Sequence, residues 1–147
     1  MAPTATATLI ARSISESDLQ SAVIDLARTS GWLVHHTRAA RTRKGWRTPI
    51  QGDAGFCDLV LAKNGCVLLA ELKSERGRVT PEQQSWIRAL DGERLGPLLP
   101  EHRHVLRPIS SGGWLSIVVR RPSDWLSGEI AELLTGAEIR ADAEITS

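Results

Sequence analysis

The apolar residues of this chain repeat at two spacings, and each spacing predicts one kind of element. A helical repeat over Leu19–Ala27 predicts a first helix, which begins after the N-cap residue Ser15 and ends at Gly31. A second helix is expected after Thr80 and a last one from Ser123. Short apolar or β-branched runs predict strands at 32–37, on both sides of a turn within 58–73, and at 114–120. This order predicts an α/β fold with a mixed central sheet flanked by helices.

Segments without that periodicity divide the chain. Residues 1–13 are rich in Ala and Thr and are expected to form a flexible N-terminal segment, and residues 135–147 a flexible tail of low apolar content. Between them, one domain is predicted over residues 14–134, which is long enough to bury a core. A stretch rich in Gly, Pro and His, at about residues 91–113, interrupts this domain as an irregular insertion.

Composition and charge narrow the class of protein. The 147 residues carry a formal net charge of +1, which neither supports nor excludes nucleic acid, so the distribution of charge matters more. The two cysteines give no disulfide framework and match no zinc spacing. No apolar run approaches the roughly 20 residues of a membrane span, and the chain does not begin with a secretory signal pattern. We therefore expect a soluble, cytoplasmic protein with no membrane partner.

The two strands predicted within residues 58–73 form a hairpin, the central hairpin. Charged residues at the ends of its strands are the strongest functional signal. Asp58 opens the first strand, and Glu71 and Lys73 close the second, where a buried strand is otherwise apolar. Glu71 and Lys73 share a face because side chains alternate along a strand, and burying charges is unfavourable unless they are paired or hold a metal. Mg²⁺-dependent hydrolysis of a phosphodiester gives them a role. The two carboxylates and the Leu72 carbonyl would bind the cation, and Lys73 would orient the attacking water or balance the negative charge on the phosphate.

The pattern resembles the PD-(D/E)XK nuclease superfamily, which has an Asp at the start of one strand and Glu-X-Lys on the next. Further motifs resemble the virus-type replication-repair nuclease (VRR-NUC) family over residues 15–90 and 114–134. These motifs are Ser15-Glu16, Gln20, Gly31-Trp32, Gly55-Phe56-Cys57-Asp58, Glu71-Leu72-Lys73, Gln83 with Trp86, and Arg121-Pro122-Ser123-Asp124.

The resemblance implies a restriction-endonuclease-like fold and catalysis with Mg²⁺ or Mn²⁺. The residues that match the family's catalytic or site-facing positions are Asp58, Glu71, Lys73, Glu16 and Gln83. The chain departs from the family at Cys57, where Pro is usual, and in the insertion at 91–113, where a short turn is usual. Because that Pro shapes a turn and is not a ligand, the departure at Cys57 leaves the expected metal site intact.

A basic segment precedes Asp58 and is the expected DNA-binding region. No acidic residue occurs from Arg38 to Gly52, and basic residues contact phosphates. The expected contacts are Arg38, Arg41, Arg43, Lys44 and Arg47, with Arg76 and Arg78 after the catalytic strand. Trp46 would stack on a base or act as a wedge at a branch. The alternative interpretation of this segment is a solvated flexible loop.

Less specific interpretations apply to several of these residues. Glu71 and Lys73 also fit an edge-strand salt bridge, although the surrounding apolar residues argue against it. Glu16 is explained equally well by the dipole of the first helix and by a role in the site. Gln83 is explained equally well by a capping box with Thr80 and by a role in the site. The four histidines are interpreted as strand, core or loop residues, because a Glu-X-Lys metal site does not require them.

The function expected from these observations is that of a metal-dependent, structure-specific DNA endonuclease. The resemblance implies a stand-alone phage or prophage protein that cuts branched DNA such as Holliday junctions in recombination and repair, inside a bacterial or phage-infected cell. It also implies a homodimer, since symmetrical cutting of two strands needs two active sites and one chain supplies one. The alternatives are a flap, end or duplex nuclease of the same fold, and a catalytically idle nucleic-acid-binding module.

Overall fold

The computed structural model describes residues 2–38, 40–48, 50–91, 107–108 and 114–136. Its helices are α1 (Ala5–Ser13), α2 (Glu16–Thr29), α3 (Pro81–Asp91) and α4 (Pro122–Leu126), and residues 129–136 are also helical. Its strands are β1 (Leu33–His36), β2 (Ala40–Thr42), β3 (Gly45–Arg47), β4 (Leu59–Lys63), β5 (Cys66–Leu72), β6 (Arg107–Pro108) and β7 (Trp114–Arg120). The predicted helices and strands are all present, and α1, β2, β3 and β6 were not predicted.

A five-stranded sheet with the order β1-β4-β5-β7-β6 forms the centre of the protein. Strands β4 and β5 are antiparallel and joined by a tight turn at Asn64 and Gly65, whose φ angles of 46° and 77° fit the turn type that matches strand twist. Strand β7 then pairs parallel with β5, and α3 lies in the connection between them. The sheet is therefore mixed, which confirms the predicted α/β class at that level.

The main core lies on one face of this sheet. Alternate residues of β4 and β5, such as Leu59 and Leu68, pack there with the apolar stripe of α2 and with residues from 129–136. Trp32 joins the same cluster, and its indole N–H donates to the Leu134 carbonyl at 2.8 Å. The opposite face carries α3, because Gln83 of that helix bonds to Glu71, which points away from the main core. Helices thus flank the sheet on both sides.

Helix α1 lies within residues 1–13, the segment that was expected to be flexible. Thr4 caps the helix, since its hydroxyl accepts the Ala7 N–H at 3.2 Å, and the alanines of the segment have high helix propensity. Only Ala11 of this helix is buried, and Leu9 and Ile10 are exposed, so the sequence needs no apolar periodicity here. A search for a broad apolar stripe therefore misses this helix, although the cap and the alanines were visible.

The remaining boundaries are changed less. Asp91 belongs to α3, and Arg107–Pro108 pair antiparallel with β7, so the predicted insertion is in part regular. Residues 92–106 and 109–113 of that insertion, and 137–147 of the predicted tail, lie outside the described residues. Over the described ranges, no helix has both the length and the apolar character needed to cross a membrane.

Candidate active site

The register of the central hairpin brings two carboxylates together. Leu59 of β4 pairs with Ala70 of β5, so one step further along the antiparallel register Asp58 lies opposite Glu71. Residues that face each other across an antiparallel pair point to the same side of the sheet. Since Ala70 faces the main core, Asp58 and Glu71 face the opposite side, where Lys73 also points. The three predicted catalytic residues therefore share one face at the end of the hairpin.

The Asp58 side chain accepts a hydrogen bond from β5 in place of a backbone carbonyl, because β4 begins only at Leu59. The backbone N–H of Leu72 donates to Asp58 Oδ2 at 2.8 Å. The N–H and C=O of one residue in a strand point to the same edge, so the Leu72 carbonyl also points to the Asp58 side. Lys73, the next residue, turns its N–H to the other edge and donates to the Arg120 carbonyl at 3.0 Å. The predicted third ligand, the Leu72 carbonyl, thus lies on the correct edge of β5.

Glu71 is the most deeply buried charged group of this site, with 2% of its surface exposed. Lys73 Nζ lies 2.9 Å from Glu71 Oε1, and Gln83 Nε2 donates to the same oxygen at 2.6 Å. Burial raises the pKa of Glu71 from its ordinary value of 4.5 to about 7; the bond to Lys73 opposes this rise and the negative charge of Asp58 adds to it. A cation between the two carboxylates would relieve their repulsion. The pair with Lys73 is buried, so the edge-strand salt bridge of an exposed surface does not describe it.

Gln83 caps α3 and also bonds to Glu71. Its Oε1 accepts the Thr80 N–H at 2.9 Å, and its own N–H donates to Thr80 Oγ1 at 3.2 Å, which completes the predicted capping box. Its amide nitrogen remains available for Glu71. Capping therefore fixes the Gln83 side chain, and the fixed side chain holds the Glu71 carboxylate.

The loop before Asp58 is fastened to α3. Gly55 has a φ of 90°, and a Cβ at this position would lie 2.5 Å from the Glu82 carbonyl carbon, so the loop can approach the helix only with glycine. The Trp86 indole N–H donates to the Ala54 carbonyl at 3.0 Å, and the Phe56 ring meets the Trp86 ring edge-on at 4.9 Å. These contacts explain the Gly-Phe motif and the Trp: they position the residues that lead into Asp58.

Cys57, the departure from the resembled family, is buried beside the carboxylates. Its thiol contacts the Leu59 carbonyl at 3.4 Å. Burial, with the charges of Glu71 and Asp58, raises the pKa of this thiol to about 12. The thiol is therefore protonated at neutral pH and acts as a neutral packing group next to the acidic pair.

Two residues of the site were not recognised as functional from the sequence. His36 Nδ1 lies 3.1 Å from the Asp58 carbonyl, and Gln20 Nε2 lies 3.0 Å from His36 Nε2. Because a carbonyl only accepts, the proton is assigned to Nδ1, and the amide of Gln20 then donates to Nε2. One tautomer of the neutral ring satisfies both contacts and links α2 to the backbone of Asp58. The signal was the position of His36 on a strand adjacent to β4, which only the pairing reveals.

Glu16 has no hydrogen bond or ion pair with the other candidate site residues in the described part of the chain. It lies exposed in the first turn of α2, one turn before Gln20. Ser15 caps this helix, since its hydroxyl accepts the Asp18 N–H at 3.0 Å. The position suits the helix dipole, and the i, i+4 spacing puts Glu16 on the face of α2 that carries Gln20.

A motif after β7 supports the loop that follows Lys73. The Arg121 guanidinium donates to the carbonyls of Ser74 at 2.9 Å and Gly77 at 2.6 Å. The Ser123 N–H donates to Glu75 Oε2 at 3.0 Å. The resembled Arg-Pro-Ser-Asp motif therefore holds the backbone that leaves the candidate active site.

The predicted DNA-binding residues are all exposed. Of those before Asp58, all except Arg38 lie on an antiparallel hairpin of β2 and β3, which forms a two-stranded sheet of its own. Arg43 and Lys44 occupy its turn, and Arg41 lies opposite Trp46. Arg38 precedes the hairpin and Arg47 ends it, whereas Arg76 and Arg78 lie in the loop after Lys73.

The donor set suits magnesium better than a metal that needs many side chains. Among the described residues, no three or more side chains of His, Cys, Asp and Glu converge to hold an ion. Asp58, Glu71 and the Leu72 carbonyl are the oxygen donors available. Mg²⁺ in proteins commonly uses one or two carboxylates and completes its shell with water and substrate phosphate. Asp58, Glu71 and the Leu72 carbonyl would offer the kind of oxygen ligands that Mg²⁺ or Mn²⁺ takes.

Comparison of the chain with models of protein families, with curated proteins and with solved structures finds no match in any of the three. The resemblance to nucleases therefore rests on the residues and motifs of this chain alone.

Proposed function

We propose that this protein is a metal-dependent DNA endonuclease with a restriction-endonuclease-like fold, related to the VRR-NUC family. The observation that carries the proposal is the buried group at the end of the central hairpin. Asp58 lies opposite Glu71 in the register, and Lys73 Nζ lies 2.9 Å from Glu71 Oε1. Two carboxylates share this face with one ammonium group, and charged groups perturbed by burial and by each other cluster at functional sites.

The residues divide the work of phosphodiester hydrolysis between them. Asp58, Glu71 and the Leu72 carbonyl would hold the cation, which when bound activates water and neutralises the phosphate. Lys73 holds positive charge beside Glu71, where it can orient water or balance the negative charge that develops on the phosphate. Gln83 fixes one Glu71 oxygen, and His36 fixes the backbone of Asp58, so both carboxylates are held before substrate binds.

Branched DNA and a homodimer belong to the same proposal. Symmetrical cutting of a four-way junction requires two active sites, and each chain supplies one such group of residues. The insertion also contains apolar residues that would pack against a partner subunit or cover the sheet edge, or would lie in a mobile surface insertion: Leu95, Leu98, Leu99, Val105 and Leu106. All of them lie outside the described residues. Sedimentation of the full-length protein, alone and with a four-way junction, tests this part. A monomer under both conditions would favour the flap, end or duplex alternative.

The decisive experiment compares cleavage of a labelled four-way junction, a flap and a linear duplex of related sequence in Mg²⁺, Mn²⁺ and EDTA. We expect cleavage that requires the metal and is fastest on the junction. Asp58→Asn, which keeps the shape of the side chain, should lose cleavage. Asp53→Asn is the matched control, because Asp53 is an exposed carboxylate in the same loop. If the wild-type protein binds DNA but cleaves none of the three, the idle binding module is the better account.

A further inference from the structure

The hairpin of β2 and β3 carries a tryptophan in an unusual place. Trp46 is 71% exposed, whereas Trp32 is 4% exposed within the main core, and Trp86 and Trp125 are half-buried against other residues. Large apolar side chains stabilise a fold when they are removed from water, so an exposed indole on a short strand contributes little to folding. Trp46 is thus available to a ligand in a way that the other described tryptophans are not.

The hairpin itself is built as a separate, cationic unit. Within the described residues its strands pair only with each other in a two-stranded sheet, which by itself is marginal in water. The turn is stabilised locally, since Thr42 Oγ1 donates to the Gly45 carbonyl at 2.8 Å and accepts the Lys44 N–H at 3.2 Å. Arg43 and Lys44 therefore project at the tip. No acidic residue occurs from 38 to 52, so the field of the hairpin is entirely positive.

The strand register combines the indole with one of these charges. Arg41 pairs with Trp46 across the hairpin, so both side chains lie on the same face, with Cβ atoms expected at about 4.5–5.5 Å. Arg47 pairs with Ala40 and lies on the opposite face. One face therefore presents a flat apolar surface beside a guanidinium, and the other presents charge without an aromatic ring.

We propose that the face formed by Arg41 and Trp46 binds an unpaired nucleotide: the base stacks on the Trp46 indole and Arg41 contacts its phosphate. This inference rests on the proposed function, because it takes DNA as the ligand, and it deepens that function by naming the part of the DNA. A duplex hides the faces of its bases, so cations alone would suffice for a duplex. An exposed ring among cations matches single-stranded DNA, where stacking is tolerant of sequence. The expected substrate has unpaired nucleotides beside the cutting site.

The test measures binding of the full-length protein in EDTA, so that no cleavage occurs. Fluorescence anisotropy reports the affinity for a labelled single-stranded oligonucleotide and for a blunt duplex of the same sequence. Trp46→Ala should weaken single-strand binding by about 5- to 100-fold, which is the loss of one stacked base, and duplex binding by less than about twofold. Trp46→Phe, which keeps a ring, should retain most of the affinity for the single strand.

Two matched controls separate stacking from charge and from general loss of apolar surface. Leu33→Ala removes another exposed apolar side chain, 77% exposed, from a different strand and should change neither affinity. Trp46→Ala should leave the salt dependence of single-strand binding unchanged, because no cation is lost. Arg41→Ala should lower that slope by about 0.7. Arg47→Ala should leave the preference for single strand over duplex unchanged, whereas Arg41→Ala should reduce it.

The outcomes distinguish this inference from the proposed function. Equal losses on single strand and duplex, or no loss with Trp46→Ala while circular dichroism shows an intact fold, would overturn the stacking site. Cleavage by the wild-type protein would then still support the nuclease. A selective loss of single-strand binding would support the stacking site even if the wild-type protein cleaved nothing, because the assay contains no catalytic metal.

Discussion

The hairpin of β4 and β5 and the hairpin of β2 and β3 differ in polarity and in burial. The central hairpin of β4 and β5 has apolar strands within a five-stranded sheet, and it carries Asp58, Glu71 and Lys73 together at its open end. The hairpin of β2 and β3 has short polar strands that, in the described part of the chain, pair with no other strand, and its cations and Trp46 are exposed.

The difference teaches how the chain separates two tasks. A buried carboxylate interacts strongly with its neighbours and can hold its position, which suits binding a metal and activating water. An exposed cation on a narrow hairpin interacts weakly with the protein and remains available to phosphates. We therefore expect the central hairpin to govern the cleavage rate with little effect on DNA affinity. The hairpin of β2 and β3, the outer hairpin, should govern DNA affinity with little effect on the cleavage rate. Four experiments test this separation.

The largest expected effect is the loss of cleavage in Glu71→Gln. This change keeps the shape of the side chain and an oxygen for Lys73, but it removes the charge that would bind the cation. Cleavage in Mg²⁺ should fall by at least about 100-fold, since even outer residues of metal sites contribute about 10–100-fold. Affinity for DNA in EDTA should stay within about twofold of the wild-type value. Glu82→Gln, an exposed acid in the first turn of α3, is the control and should cleave normally.

The next effect is the loss of affinity when the outer hairpin is neutralised. Replacing Arg41, Arg43 and Lys44 together with Ala should weaken duplex binding by roughly tenfold or more. The slope of log affinity against log salt should fall by about 0.9 for each phosphate contact that is lost. The cleavage rate at saturating DNA should be unchanged, because these residues lie outside the buried group.

The control for this experiment removes the same charge elsewhere. Arg12, Arg28 and Arg88 are exposed on three different helices, and their triple replacement by Ala changes the net charge equally. We expect a much smaller change in the salt slope. Equal effects of the two triple variants would mean that general charge, and not the outer hairpin, controls binding.

A smaller effect should follow from loosening Asp58 through its neighbour. His36→Leu removes the donor to the Asp58 carbonyl, and the Mg²⁺ concentration for half-maximal cleavage should rise about tenfold, as for other groups that orient metal ligands. His36→Asn keeps a donor near the position of Nδ1 and should recover most of the affinity for the metal. His35→Leu alters the adjacent exposed residue and should have no effect. An effect confined to folding stability would show that His36 has only a structural role.

The smallest effect is a pH dependence of stability that the outer hairpin should lack. The pKa of Glu71 is raised from 4.5 to about 7 in the folded protein, so between these values the folded state binds a proton that the unfolded state has lost. This contribution to the free energy of unfolding is present below pH 4.5 and is lost as the pH rises through 7. Glu71→Gln should therefore gain about 1–3 kcal/mol relative to wild type between pH 5 and pH 8. Urea unfolding of both proteins in EDTA at pH 5 and pH 8 measures the free energy of unfolding. A difference between the two proteins that is the same at both pH values would contradict the raised pKa.

Much of the fold could be predicted because its signals are local. The apolar runs around Asn64 and Gly65 predict the central hairpin, and its alternation predicts that Glu71 and Lys73 share a face. The capping box of Thr80 and Gln83 was visible because both partners lie within one turn. In contrast, α1 was missed because it has almost no buried face, and the outer hairpin because its exposed strands have no apolar alternation.

The sequence by itself determined where the candidate site lies along the chain. Charged residues at the ends of the central strands break the apolar pattern of those strands, and this break is visible without a structure. Only the tertiary structure decided that Asp58 lies opposite Glu71, that Gln83 reaches Glu71, and that His36 supports Asp58. The physical reason is the range of the interactions. Caps and alternation depend on neighbours within a few residues, whereas a contact across strands, or between a helix and a strand, depends on a register that many distant packing contacts establish together.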